Sequence, residues 1–122
     1  MSIERSAVEL YEFASNPENL PQWAGGLSGS IKKIGDEWIA EAPIGTVKIK
    51  FAERNKYGVL DHDVTLASGL TFYNPMRVFS NDNGSEVIFT LYRRDGMSDQ
   101  EFADDAESVQ RDLNKLKTLL EK

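Results

Sequence analysis

The sequence predicts an α+β domain in which a curved antiparallel sheet of about six or seven strands wraps around a long C-terminal helix, with two short helices after the first strand. Three observations carry this. Between Leu27 and Arg94 apolar residues tend to alternate with polar ones, and turn residues punctuate the pattern. Every connection in that stretch is short, which favours an antiparallel meander over parallel crossovers. Beyond it, Phe102, Ala106, Val109, Leu113, Leu116 and Leu120 recur at spacings of three and four, with charges covering the opposite side. Such a helix needs an apolar surface, and the concave sheet face is the large one available. A coiled-coil partner would leave the apolar strand faces uncovered.

The elements follow in order. A brief strand is expected at Ser2 to Glu4. Ser6 and Glu9 form a capping box, and Ala7, Leu10, Tyr11 and Ala14 fall on one helical face. Ser15-Asn16-Pro17 ends that helix and starts another, with Asn16 as cap, Pro17 in the first turn, and Leu20 and Trp23 inward; Gly25-Gly26 closes it. Strands are then expected at Ser28 to Ile34, Glu37 to Ala42, Thr46 to Glu53, Val59 to Leu66, Leu70 to Ser80 and Glu86 to Arg93. The turns between them are Gly35-Asp36, Pro43-Ile44-Gly45, Asn55 to Gly58, Ser68-Gly69 and Asn81 to Gly84, the last containing Asn83-Gly84, a strong hairpin signal. Pro75 lacks a ladder N–H and requires an edge or a bulge. Ser98 and Glu101 form a second capping box, and Lys115, Lys117 and Lys122 suit the negative end of the terminal helix.

Composition narrows the function classes. The 122 residues fit a single domain spanning 1–122, able to bury roughly two-thirds of its unfolded surface. A net charge of -6 with dispersed Lys and Arg argues against nucleic-acid binding, which depends on neutralising phosphates. The absence of cysteine excludes disulfides, thiolate metal sites and cysteine nucleophiles. Neither a signal-peptide core nor a stretch of about 18 to 20 apolar residues occurs, so the expectation is a cytoplasmic protein without membrane insertion. No cofactor or metal is expected, because a single histidine lacks companions at ligand spacing. No Walker-type loop, dinucleotide fingerprint or serine-nucleophile elbow is present.

A short strand, two small helices, a meander and one long terminal helix resemble the START-like helix-grip (SRPBCC) superfamily, and in particular its small bacterial polyketide cyclase/dehydrase-like members. The stretches that carry the resemblance are Val8 to Trp23 (VELYEFASNPENLPQW), Leu60 to Val64 (LDHDV), Ser85 to Leu91 (SEVIFTL) and the Gly96-Met97-Ser98 helix start. The resemblance covers nearly the whole chain and implies a cavity between helix and sheet that holds an apolar or aromatic small molecule. It implies no particular reaction, since one fold hosts carriers, sensors and enzymes. The short first strand and the small total length depart from the family pattern and imply a small or collapsed cavity.

His62 is the only histidine. Pairing Phe51 with Leu60 sets Ile49 against His62 and Val47 against Val64, and also Lys50 against Asp61 and Lys48 against Asp63. His62 then points inward and both aspartates outward, a result that survives a two-residue shift of register. Three roles are open to His62: a satisfied core residue, a polar anchor for a ligand, or a catalytic acid or base, for which no inward carboxylate is evident as an orienting partner. No other catalytic residue is identified. Asp61 and Asp63 read as surface ion pairs of small energetic value. Trp23, Trp38, Phe51, Phe72, Phe89 and Phe102 are expected on inward faces, either filling the core or lining a pocket, with Tyr11 and Trp23 near its mouth. At Pro75 the backbone must bend; this either protects an edge strand or re-aims Asn74 or Arg77 toward a site.

The expected function is binding of a small hydrophobic molecule by a monomer or homodimer, with Tyr11, Trp23, Trp38, Phe51, His62, Phe72, Asn74, Phe89 and Phe102 as ligand-binding residues. Two alternatives stand beside it. One is a polyketide cyclase/dehydrase-like enzyme using His62. The other is an interaction module similar to chaperone regulators, which requires an exposed apolar patch.

Overall fold

Two serines open the principal helices. Ser6 Oγ accepts the Glu9 N–H at 3.2 Å and starts α1, Ala7–Ala14. Ser98 Oγ accepts the Glu101 N–H at 3.0 Å, while Glu101 returns a carboxylate to the Ser98 N–H at 3.1 Å. That reciprocal box starts the terminal helix, Asp99–Leu120. Between them, Asn16 caps a 3-10 turn at Pro17–Asn19, which runs directly into the one-turn helix α2, Leu20–Trp23. The terminal helix is therefore α3.

These elements belong to a computed structural model that describes residues 1–25, 30–43 and 45–122. Gly26, Ile44, and the Ser28-Gly29 start of one expected strand lie outside the described residues. The strands are β1 (Ser2–Ile3), β2 (Ile31–Ile34), β3 (Glu37–Ala42), β4 (Gly45–Phe51), β5 (His62–Leu66), β6 (Thr71–Asn74), β7 (Met76–Asn81) and β8 (Gly84–Phe89). The fold is α+β, but the described strands form two antiparallel sheets rather than one. Their orders are β1-β8-β7 and β2-β3-β4-β5-β6.

The difference arises at Pro75. The expected strand from Leu70 to Ser80 is divided there into β6, in the five-stranded sheet, and β7, in the three-stranded one. Asp61, immediately before β5, stabilises the break. Its Oδ1 accepts the Met76 N–H at 2.9 Å, an amide that the interrupted ladder leaves without a strand partner. Asp61 also accepts from Arg77 Nε at 2.8 Å, Arg77 Nη2 at 2.7 Å and the Tyr73 hydroxyl at 2.8 Å. The expectation that Asp61 faces Lys50 is thus corrected. Asp63 takes that register position, because β4 and β5 pair two residues further along: Phe51 with His62, Ile49 with Val64, Val47 with Leu66. Lys48 lies opposite Thr65 and pairs with Glu37 at 3.0 Å. Facing is unchanged by an even slip, so His62 points inward as the alternation requires.

Two further boundaries differ. The last strand stops at Phe89 rather than Arg93, and Thr90 instead donates its N–H to the Pro75 carbonyl at 2.9 Å. On α3, Leu113 and Leu116 are buried and Phe102, Val109 and Leu120 are partly so, but Ala106 is exposed at the margin of the inward face. The outer sheet surface is not uniformly charged either, since Phe79 and Ile88 are exposed on it.

In the core, α1 packs Leu10, Tyr11 and Ala14 toward Ile3, Val78 and Val87 of the three-stranded sheet. Leu113 and Leu116 extend it beneath the C-terminal half of α3. The stretch of α3 from Asp105 to Leu113 also encloses a space over the five-stranded sheet. No described helix is long and apolar enough to cross a membrane.

Candidate functional site

Between α3 and the five-stranded sheet lies a cavity of about 410 Å³. Its floor is made of alternate residues of adjacent strands, which is how a pleated sheet presents one face. Val47 and Ile49 come from β4, His62, Val64 and Leu66 from β5, and Phe72 and Asn74 from β6. Leu20 and Trp23 of α2 close one side, and Phe89 and Leu91 another. The roof is different in kind, because α3 contributes Asp105, Ser108 and Asp112 together with Val109 and Leu113.

His62 is the most constrained polar group on the floor. It is 8% exposed and stands between Phe51, its cross-strand partner at 4.9 Å between ring centroids, and Phe89 at 6.2 Å. Nδ1 lies 3.0 Å from the Leu60 carbonyl oxygen. A carbonyl only accepts, so in this bond Nδ1 carries the proton and donates. Burial lowers the pKa of the ring, outweighing the Leu60 carbonyl and the charges of Asp61 and Asp63, which act the other way. The neutral ring therefore has its lone pair on Nε2. Asn74 lies directly opposite His62 across β5 and β6 and borders the same space. Such cross-strand partners have Cβ atoms about 4.5–5.5 Å apart.

Two groups mark the helix side. Asp112 Oδ1 accepts the Gly25 N–H at 2.9 Å, and burial nevertheless raises its pKa. At the rim Arg94 spans the opening, its guanidinium 4.3 Å from the Phe72 ring centroid and 3.4 Å from Asp105. Trp23, only 3% exposed, has an indole N–H with no partner among the described residues. An unmet buried donor costs about 1–3 kcal/mol.

Of the residues expected from the sequence, Trp23, His62, Phe72, Asn74 and Phe89 come together here. Phe51 lies outside the cavity lining and packs beside the His62 ring as its cross-strand partner. Trp38 pairs with Ile49 in the β3–β4 ladder, outside the cavity lining. Phe102 lies beneath the Arg93 guanidinium. Tyr11 lies on the other side of the molecule, where its hydroxyl accepts the Asn55 N–H at 2.9 Å. It borders an outer hollow of about 470 Å³ with Val8, Tyr57, Val78 and Phe79. Arg77, bound to Asp61, points away from the cavity. The pattern of the sequence leaves Asp105, Ser108 and Asp112 out of the lining because polar helix positions read as solvent-facing. Their spacing of three and four, in step with Val109, Leu113 and Leu116, is the signal that places them inward.

A scan with protein-family models and a search of curated proteins both find no match to this chain.

Proposed function

We propose that the protein binds a small hydrophobic or aromatic molecule between α3 and the five-stranded sheet. The observation that supports this most is the cavity of about 410 Å³ itself, floored by aliphatic and aromatic side chains and carrying a few polar groups. Small-molecule sites usually occupy about 300–1,000 Å³ and have this mixture, in which apolar burial supplies affinity and isolated polar groups set orientation. The resemblance to START-like helix-grip proteins is part of the same proposal, and a long terminal helix facing an antiparallel sheet is compatible with it. His62 acts in this reading as an anchor. Its Nδ1–H is held by a backbone carbonyl rather than by a carboxylate, the partner that would stabilise a protonated ring during acid–base turnover.

The test is to fill the space. Val64 sits centrally on the floor between Ile49 and Phe72 in the sheet register. Val64→Trp is expected to weaken binding of 2-naphthol at least about tenfold, equivalent to about 1.4 kcal/mol. Calorimetric titration measures it, with circular dichroism checking that the variant folds. A folded variant that binds like the wild type would remove this cavity from the protein's function.

A further inference from the structure

His62 and Asn74 form a polar pair set into an otherwise apolar floor. Together they specify more than a hydrophobic ligand. We infer that the cavity selects an uncharged apolar molecule carrying a hydroxyl, seated so that its O–H donates to His62 Nε2 and its oxygen accepts from the Asn74 amide. This rests on the ligand-binding reading above and sharpens it to a chemical class.

The Leu60 carbonyl sets the tautomer of the ring. Because that oxygen lies 3.0 Å from Nδ1, the proton of the neutral ring is fixed on Nδ1, and Nε2 is left as an acceptor. Burial of the ring, only 8% exposed, makes a charged imidazolium unfavourable, which keeps the acceptor available. Among the described residues the only hydrogen bond made by the His62 ring is the one to Leu60. Asn74, opposite in the ladder, supplies an amide with both a donor and an acceptor.

A hydroxyl satisfies both partners at once, since it donates through its hydrogen and accepts through its oxygen. An ether or ketone has only acceptors, so it would meet the Nε2 lone pair with another lone pair. A carboxylate is worse. It also lacks a donor, its charge would be desolvated on an apolar floor, and Asp112 faces it from the helix. Arg94 does not reverse this, because it is already paired with Asp105 at the rim.

Three probes of matched size separate these cases: 2-naphthol, its methyl ether, and 2-naphthoate, titrated near neutral pH. The wild type is expected to bind naphthol about tenfold more tightly than the ether, the effect of roughly one good hydrogen bond. Naphthoate should bind more weakly than either. His62→Phe should bring the naphthol-to-ether ratio close to one, whereas Asn74→Leu, which removes a donor that both oxygens can use, should weaken both probes and leave the ratio above one. Equal affinities for naphthol and ether in the wild type would overturn the hydroxyl assignment while leaving a binding cavity. So would a preference that survives His62→Phe. If none of the three probes binds, the ligand-binding reading itself falls.

Discussion

Gly58→Ala is expected to destabilise the fold by about 3 kcal/mol or more, the largest effect of any single methyl addition among the described glycines. Gly58 has φ +76°, a conformation that side-chain-bearing residues adopt only with strain. A Cβ there would also overlap the Val78 carbonyl oxygen and lie 3.0 Å from its carbon. Neither atom can move freely, since the Val78 N–H donates to the Gly58 carbonyl at 2.9 Å and locks the two backbones together. The consequence reaches the site. This contact anchors the segment leading to Leu60, whose own N–H donates to the Met76 carbonyl and whose carbonyl orients His62. Urea denaturation measures the loss as a fall in midpoint at constant slope. A loss below about 1 kcal/mol would show that the loop relaxes and does not fix Leu60.

Asp61→Ala is expected to cost about 3 kcal/mol. The substitution removes the acceptor for the Met76 N–H, and Met76 is fully buried, so that donor is left unmet. It also abolishes the paired Arg77 bonds and the Tyr73 bond that clasp the Pro75 break. The Asp61 side chain is only 13% exposed, so this ion pair is better shielded than an ordinary surface pair. Acid provides a second readout. Hydrogen bonds from Arg77, and then from Tyr73 and Met76, outweigh the opposing effect of burial and hold the Asp61 carboxyl well below the usual carboxylate range. A depressed folded-state pKa contributes stability that is present above the unfolded value, about 3.9, and is lost as pH falls toward the folded one. Wild-type stability should therefore fall below about pH 4, and Asp61→Ala should show a shallower fall over that window. Identical acid slopes in the two proteins would contradict this role for Asp61.

The sequence revealed what depends on period and missed what depends on distant partners. The inward facing of His62 follows from strict alternation in β4 and β5, and it survives a register error because the slip is even. The register itself was not legible. It depends on a loop folded by Asn55, whose side chain bonds the backbone of Glu53, Tyr57 and Val59. It also depends on Asp61 leaving the ladder to meet Arg77. Pro75 announced a break, but that the chain changes sheets there required the Asp61–Met76 contact. The aromatics show the same limit. Aromatic character at alternating positions found Phe72 and Phe89, whereas Tyr11 and Phe102 meet Asn55 and Arg93, partners that no local pattern specifies.

In the proposed function an apolar molecule enters between α3 and the five-stranded sheet. A methyl NMR titration with 2-naphthol tests it most directly. Saturable shifts are expected, concentrated at Val47, Val64, Leu66, Val109 and Leu113, which line the cavity from floor and roof. Val87, buried in the three-stranded sheet, and Val8 and Val78, beside the outer hollow, should stay still. Shifts centred on Val8 and Val78, or no saturable shifts at all, would contradict it.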